Sequence, residues 1–217
     1  MHIVLRMRFR TVLFDLDGTL IDHFAAIHRC HAYAMRKLGL PEPTIAQVRH
    51  AVGGGLDEAI ARLAGQERVA VILPLFTEHW NATNLDDVTL LPGARELLVE
   101  LNGGGVRCGV LTNKRGYAAR EVCTHLGLDP LLAGVFGAND TLWIKPDPRF
   151  MQHALTAVGG EAATTALVGD SPFDLAAAQN AGLVFIGVTT GTHSAEELRA
   201  AGATEIFADL VTAGAAL

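Results

Sequence analysis

The stretch Thr11 to Asp22, TVLFDLDGTLID, constrains the fold more than any other part of the chain. It is an apolar run, β-branched and aromatic, that stops at Asp15, with Asp17 two residues on and Gly18-Thr19 directly after it. Such a run reads as a buried strand that delivers charge to its C-terminal edge, which is where open α/β sheets place their sites. With Asp15 as the last strand residue and Asp17 in the loop beyond, two carboxylates approach one centre, and Gly18 lets the backbone turn there. Carboxylates held that close repel each other, so a cation is implied. The competing account is a surface turn with a capping Asp, but DxDGT directly after an apolar strand is unusually specific.

The rest of the chain falls into two patterns. From Asp22 to about Leu91 apolar residues recur three and four apart, in HFAAIHRCHAYAMRKLGL, a segment after Thr44, GLDEAIARLAG and QERVAVILPLFTEHWNATNL, while strand signals are weak. About seventy residues are too many for a simple loop, so residues 22–91 are expected to form a small all-helical cap domain, closed by Pro92-Gly93. Residues 1–21 and 92–217 are expected to form the α/β catalytic core. There helices near 94–102, 117–126, 148–158, 174–181 and 195–201 alternate with strands at VRCGVLTN, around Val135, at TALVGD, at VFIGVT and near 205–208. This βα alternation predicts a Rossmann-like, mostly parallel sheet with helices on both faces. Gly127, Gly159 and Gly182 fall where three of those helices should end.

Composition narrows the function classes. Half of the 217 residues are apolar and the formal charge is −6 with no basic block, which disfavours disorder and a nucleic-acid partner. Met1 to Arg10 carries three arginines around a short apolar stretch, too short for a secretory signal, and no later segment has the apolar length to span a bilayer. A cytoplasmic protein without a membrane partner is expected. Cys30, Cys108 and Cys123 are widely spaced and lack CxxC, so they read as ordinary buried thiols, neither a disulfide framework nor a metal site.

Four further groups carry chemistry. Thr112 and Asn113 follow the apolar run Cys108 to Leu111 as Asp15 follows its own, and a hydroxyl, an amide and free N–H groups there could hold phosphoryl oxygens; alone, Thr-Asn is equally a common turn. Lys145 sits in IKPDP, where Pro146 favours an extended backbone and Pro148 can start a helix, so a fixed ammonium could balance the carboxylates, although a solvated lysine is the default for any single Lys. Asp170 ends the strand at Val168-Gly169, and Asp174 lies four residues on, at a helix start. Metal binding is the preferred role for Asp170, whereas Asp174 could equally be a helix cap.

The succession DxDGT, TN, KPxP and GDxxxD resembles the haloacid-dehalogenase-like hydrolase superfamily across essentially the whole chain. A cap between the first and second blocks resembles its helical-cap subclass, which includes phosphoglycolate phosphatases, β-phosphoglucomutases and dehalogenases. NDTLWIKPDPRF and GVTTGTHSAEELRAAGATEIFADL look most like the phosphoglycolate-phosphatase-like branch. Two positions depart from that branch: His23 stands where it usually has Ser, and Ile144 where it often carries a basic residue.

This resemblance implies a Mg²⁺-dependent phosphatase acting on a small phosphomonoester, phosphoglycolate-like, through an aspartyl phosphate. By it, Asp15 is nucleophile and metal ligand, and Asp17 is the acid and then the base, with its main-chain carbonyl joining Asp15 and Asp170 around Mg²⁺. Thr112, Asn113 and Lys145 bind the transferring group, and Asp174 orients Lys145 or the metal's water from behind. The family's dehalogenases lack the second Asp, so Asp17 favours phosphate chemistry. A sugar phosphomutase of the β-phosphoglucomutase kind and a non-catalytic phosphometabolite-binding protein remain as alternatives, and the oligomeric state is left open. For the leaving-group pocket the candidates are His23, His28, Arg29, His31, Arg49 and the Gly53 to Gly55 turn, among residues that otherwise read as solvated faces.

Overall fold

The structure, a computed structural model, describes residues 7–217; residues 1–6, and with them most of the N-terminal segment considered above, lie outside it. The chain enters β1 (Thr11–Phe14), then a two-residue strand β2 (Ile21–Asp22). Four helices follow: α1 (Phe24–Lys37), α2 (Ile45–Ala51), α3 (Leu56–Ala64) and α4 (Val69–Thr83). After β3 (Thr89–Leu90), strand and helix alternate: α5 (Ala94–Gly103), β4 (Arg107–Arg115), α6 (Gly116–His125), β5 (Val135–Ala138), α7 (Pro148–Val158) and β6 (Thr165–Gly169). Then come α8 (Pro172–Ala181), β7 (Val184–Val188), α9 (Ala195–Ala200), β8 (Ile206–Phe207) and α10 (Leu210–Ala213).

Six strands form one parallel sheet in the order β5-β4-β1-β6-β7-β8. β1 lies inside it because all four of its residues are buried, and a strand covered on both faces needs apolar side chains in both directions. Val12 and Phe14 join the cluster with Val110, Val168, Leu98 of α5 and Val122 of α6. Leu13 joins the other, with Leu111, Leu167, Phe150 of α7 and Leu175 of α8. Period-two alternation thus sorts one short strand between two cores, with helices on both faces. Phe14 is in register with Val110 on one side and Val168 on the other, so β1 and β6 end nearly level while β4 runs on to Arg115. The chain leaves β1 for β4 on one side and reaches β6 on the other, which makes that edge the switch point where such sheets bind ligands.

Helices α1 to α4 share a third apolar cluster, built on Ile27, Cys30, Ile60, Ile72, Phe76 and Trp80. Their connection to the sheet includes a feature absent from the sequence reading: β2 and β3 pair antiparallel, Ile21 with Leu90 and Asp22 with Thr89. A 3-10 turn at Gln66–Arg68 precedes α4, which carries Pro74 inside it. Strand β4 runs through Thr112 and Asn113 to Arg115, its register shifting between Leu111 and Arg115, so this pair lies within the strand and not past its end. Gly159 and Gly182 cap α7 and α8 in the left-handed conformation, as expected. The three cysteines are free and buried, and burial pushes the Cys30 thiol up to about 11 and those of Cys108 and Cys123 to about 12. Among the described residues no helix is long and apolar enough to cross a membrane.

Candidate active site

The adjoining strand ends bring the sequence candidates together. Asp15 directly follows β1 and Asp170 directly follows β6, while Asp174 sits in the first turn of α8. These three carboxylates each place an oxygen within 4.8 Å of the others. Lys145, in the segment between β5 and α7, reaches in from the side: its Nζ lies 2.8 Å from Asp15 Oδ1 and 2.5 Å from Asp174 Oδ1. Exposure is 6% for Asp15, 2% for Lys145, 1% for Asp170 and 0% for Asp174, so these charges meet with little water to screen them.

Electrostatics follow from that crowding. Burial raises the Asp15 carboxyl to about 6, with Lys145 opposing and Asp174 adding to the rise. Asp170 is pushed up to about 7 by burial and then by Asp174 and Asp15, against hydrogen bonds from the Thr192 N–H at 2.7 Å and its hydroxyl at 2.8 Å. Lys145 is held above the ordinary lysine range, because the two carboxylates outweigh a burial that alone would lower it. One ammonium among three buried carboxylates leaves an excess of negative charge that a divalent cation would relieve. The donors are hard oxygens, which suits Mg²⁺. At 2.8 Å from Lys145, Asp15 Oδ1 still makes no well-directed hydrogen bond, so it keeps a free direction for a further ligand. A Cβ on Gly18 would stand 3.0 Å from Asp170 Oδ2, so glycine there leaves room beside that carboxylate. The residues present fit such an ion.

Asp174 has two roles at once. One oxygen faces Lys145, and the other accepts from the Ser171 N–H at 3.1 Å and the Ser171 hydroxyl at 2.6 Å, closing the start of α8. Capping and Lys145-orienting, set against each other in the sequence, coexist on one side chain. Asp17 stands apart from the three-carboxylate group. Both of its oxygens are held by Lys114 Nζ, at 3.0 and 2.9 Å, and His23 Nδ1 lies 3.6 Å from Oδ1. Burial alone would raise Asp17, but Lys114 and His23 hold it well below the usual carboxylate range. Lys114 Nζ also lies 4.5 Å over the Trp80 ring, a cation–π contact that ties strand β4 to α4.

Thr112 and Asn113 are both buried beside these groups. The Asn113 amide is fully engaged: its Nδ2 donates to Gly53 O at 2.9 Å and to Lys145 O at 3.0 Å, and its Oδ1 accepts from the Lys145 N–H at 2.8 Å. It therefore fixes Lys145 and reaches across to the helical unit. That unit lies close over the strand ends, with Arg49 donating to Gly191 O at 3.2 Å and Arg115 to Thr77 Oγ1 at 3.3 Å. Between unit and sheet lies a cavity of ≈ 80 Å³ lined by Asp15, Asp17 and Thr112 below and by Ile27, His31, Leu56, Phe76 and Trp80 of the helices, among others.

The leaving-group candidates separate. His31, Gly53 and Gly55 line the cavity. His23 is buried behind it, its Nε2 donating to Asn84 O at 2.5 Å. His28 pairs with Pro43 O, and Arg29 with Asp87 and Thr83 O, within the helical unit and its stem, so these two hold the unit together. Sequence reasoning passed over Lys114, Trp80 and Thr192. For Lys114 a signal existed: it lies two residues beyond Thr112 along a strand, the spacing that returns a side chain to the same face. For Thr192 the signal was a run of Thr and Gly directly past an apolar strand, the same grammar as at Asp15.

A family model described as haloacid dehalogenase-like hydrolase matches residues 12–188. A 5'-nucleotidase from Pseudomonas aeruginosa is 32% identical over 206 residues, covering 94% of this chain and 93% of its own. A phosphoglycolate phosphatase from Rhodospirillum rubrum is 31% identical over 216 residues, covering 94% and 89%. Among solved structures, one described as a predicted phosphoglycolate phosphatase from Haemophilus somnus superposes with a TM-score of 0.86 at 25% identity, covering 94% of this chain and 96% of its own.

Proposed function

We propose that this chain, which belongs to the haloacid dehalogenase-like hydrolase family, is a phosphatase that hydrolyses a small phosphomonoester through a phosphoryl group carried on Asp15. The observation that carries this reading is the buried Asp15 carboxylate at the open end of β1, fixed by Lys145 and facing a half-open cavity that Asp17 also lines. A nucleophile and a second carboxylate at the mouth of one small cavity are what a two-step phosphoryl transfer requires.

In the first step an Asp15 oxygen attacks phosphorus in line; the Asp15 O–P bond forms as the ester P–O bond breaks. Asp17 gives a proton to the departing alkoxide, and Lys114 must loosen its hold for Asp17 to carry that proton. In the second step Asp17 takes a proton from water, the water oxygen attacks phosphorus, and Asp15 leaves as a carboxylate with inorganic phosphate as product. The Lys145 ammonium and the Thr112 hydroxyl hold oxygens of the transferring group, Asn113 fixes Lys145, and Asp174 aims its ammonium. Asp15, Asp170 and the main-chain carbonyl of Asp17 are the groups that would hold Mg²⁺. That ion, when bound, supplies positive charge against the phosphoryl oxygens.

Residues 22–91 act as a cap that excludes water and encloses the leaving group. The relatives' names point to different leaving groups, glycolate and a nucleoside. Cavity size favours the smaller: ≈ 80 Å³ is less than the about 150 Å³ that accommodates benzene, so a nucleoside would need the half-open cavity to widen. The substrate is thus a phosphomonoester of the phosphoglycolate class. The test is phosphate release with Mg²⁺ from 2-phosphoglycolate, adenosine 5'-monophosphate and β-glucose 1-phosphate, with 2-chloropropionate as a dehalogenation control. Release is expected to be fastest from 2-phosphoglycolate. Glucose 6-phosphate appearing faster than free phosphate would make the protein a mutase. Phosphate binding without turnover, unchanged by Asp15→Asn, would make it a binding protein.

A further inference from the structure

We propose that His31 is a specificity-determining residue that hydrogen-bonds an oxygen of the leaving group, selecting phosphomonoesters with a carboxylate or carbonyl within a few bonds of the ester. This rests on the phosphatase reading and deepens it. His31 lies on α1, 1% exposed, and neither ring nitrogen has a hydrogen-bond partner among the described residues. Its ring packs against Phe76, with ring centroids 4.7 Å apart. Leaving a buried imidazole without partners is unfavourable, and native structures keep such groups where something else supplies the bond.

The cavity that Asp15, Asp17 and Thr112 line is the one His31 also lines, so a substrate whose phosphorus stands at Asp15 extends toward this ring. Around His31 the cavity walls are apolar, from Ile27, Val52, Leu56, Ala59, Phe76 and Trp80. An unsubstituted alkyl leaving group would displace water from the ring and bury both nitrogens unpaired. An oxygenated one satisfies at least one of them. Desolvation, with His28 nearby, lowers the imidazole to about 4, so at neutral pH it offers one N–H donor and one lone pair. Arg115, bonded to the Thr77 hydroxyl and to no carboxylate among the described residues, lines the same cavity and supplies positive charge for a leaving group that is anionic as well as oxygenated. A site built to bond a substrate oxygen rejects the analogue lacking it more strongly than an apolar pocket rejects a missing methylene.

The experiment compares 2-phosphoglycolate with ethyl phosphate, a close match in size that lacks the carboxylate. The readout is the ratio of their kcat/KM values in wild type, His31→Leu and His31→Gln, together with the His31 ring resonances of isotope-labelled full-length protein titrated with each ester in Mg²⁺. The expected result is a ratio reduced about 10- to 100-fold in His31→Leu and partly restored in His31→Gln, which keeps a hydrogen-bonding group. Ring resonances should shift with 2-phosphoglycolate and stay in place with ethyl phosphate. An unchanged ratio, or an equal loss on both esters, would overturn the proposal. If wild type released phosphate from neither ester, the phosphatase reading would fall, while the ring shifts would still decide whether His31 meets the carboxylate.

Discussion

Both carboxylate oxygens of Asp17 are held by one ammonium, Lys114 Nζ, at 3.0 and 2.9 Å, with both side chains less than 10% exposed. Removing one member of such a pair leaves a buried charge without compensation, which costs about 3–5 kcal/mol when burial is complete and less here. Lys114→Met should therefore lower stability at pH 7 by roughly 2 kcal/mol or more in urea titrations. The sign with pH is fixed by Asp17. Its folded carboxyl titrates below its unfolded value, so the pair's contribution is present above the unfolded value near 4 and is lost as pH falls below it. The deficit of the variant should shrink at pH 3, and an unchanged deficit there would mean that Lys114 acts through packing on Trp80.

Asp15→Asn should abolish phosphate release and also stabilise the metal-free protein. Burial and Asp174 raise the Asp15 carboxyl to about 6 against Lys145, so its favourable contribution is present below the unfolded value near 4 and is lost as pH rises through 6. At pH 7.5 the wild type then holds an ionised, crowded carboxylate that the amide lacks. A Tm higher than wild type in EDTA, together with no turnover, is the expected pair of results. A lower Tm would show that the Asp15–Lys145 attraction outweighs the desolvation.

How much of this was legible depended on what each feature leaves in the sequence. Asp15 and Asp170 announce themselves because an apolar strand that stops at a carboxylate is rarely accidental, and the nearly level ends of the paired strands β1 and β6 bring the two together. The pairing of β2 with β3 left no trace, since two residues per strand are too few for any periodicity. Lys114 was hidden by its type, a lysine being a surface residue by default, and only the closeness of Trp80 and Asp17 buries it. Within the helical unit His28, Arg29 and His31 look alike in sequence, and their different roles follow from tertiary contacts alone.

Mg²⁺ should raise the Tm of wild type, because an ion that binds only the folded chain stabilises it by mass action, about 2.7 kcal/mol at a hundredfold excess over Kd. Asp170→Ala should lose most of that increment along with Mg²⁺-dependent turnover. Thermal melts with and without EDTA check this independently of any substrate. An undiminished Mg²⁺ shift in the variant would remove Asp170 from the ligand set.

Stability between pH 6.5 and 4 should report His31. Its folded imidazole is lowered to about 4 while the unfolded ring titrates near 6.5, so the unfolded chain binds the extra proton in that window. The wild type should then lose up to about 3 kcal/mol as pH falls across it, on top of whatever other groups contribute. His31→Leu removes this part, and the difference between the two pH profiles isolates it from the carboxylates.

The contact between Asn113 and Gly53 gives the last prediction. Asn113 Nδ2 donates to Gly53 O at 2.9 Å, joining the residue that fixes Lys145 to the turn between α2 and α3. Gly53 holds φ at 122°, a conformation strained for any other residue, and a Cβ there would stand 3.2 Å from the Phe173 ring. Gly53→Ala must therefore shift the turn and draw its carbonyl from Asn113, at a cost of about 1–3 kcal/mol in strain. If cap closure depends on this bond, kcat/KM for 2-phosphoglycolate should fall about tenfold, and Asn113→Ala added to Gly53→Ala should cost far less than the sum of the two single losses. Additive losses would show that Asn113 acts only by fixing Lys145 and that the cap is held shut elsewhere, through Arg49 and Arg115.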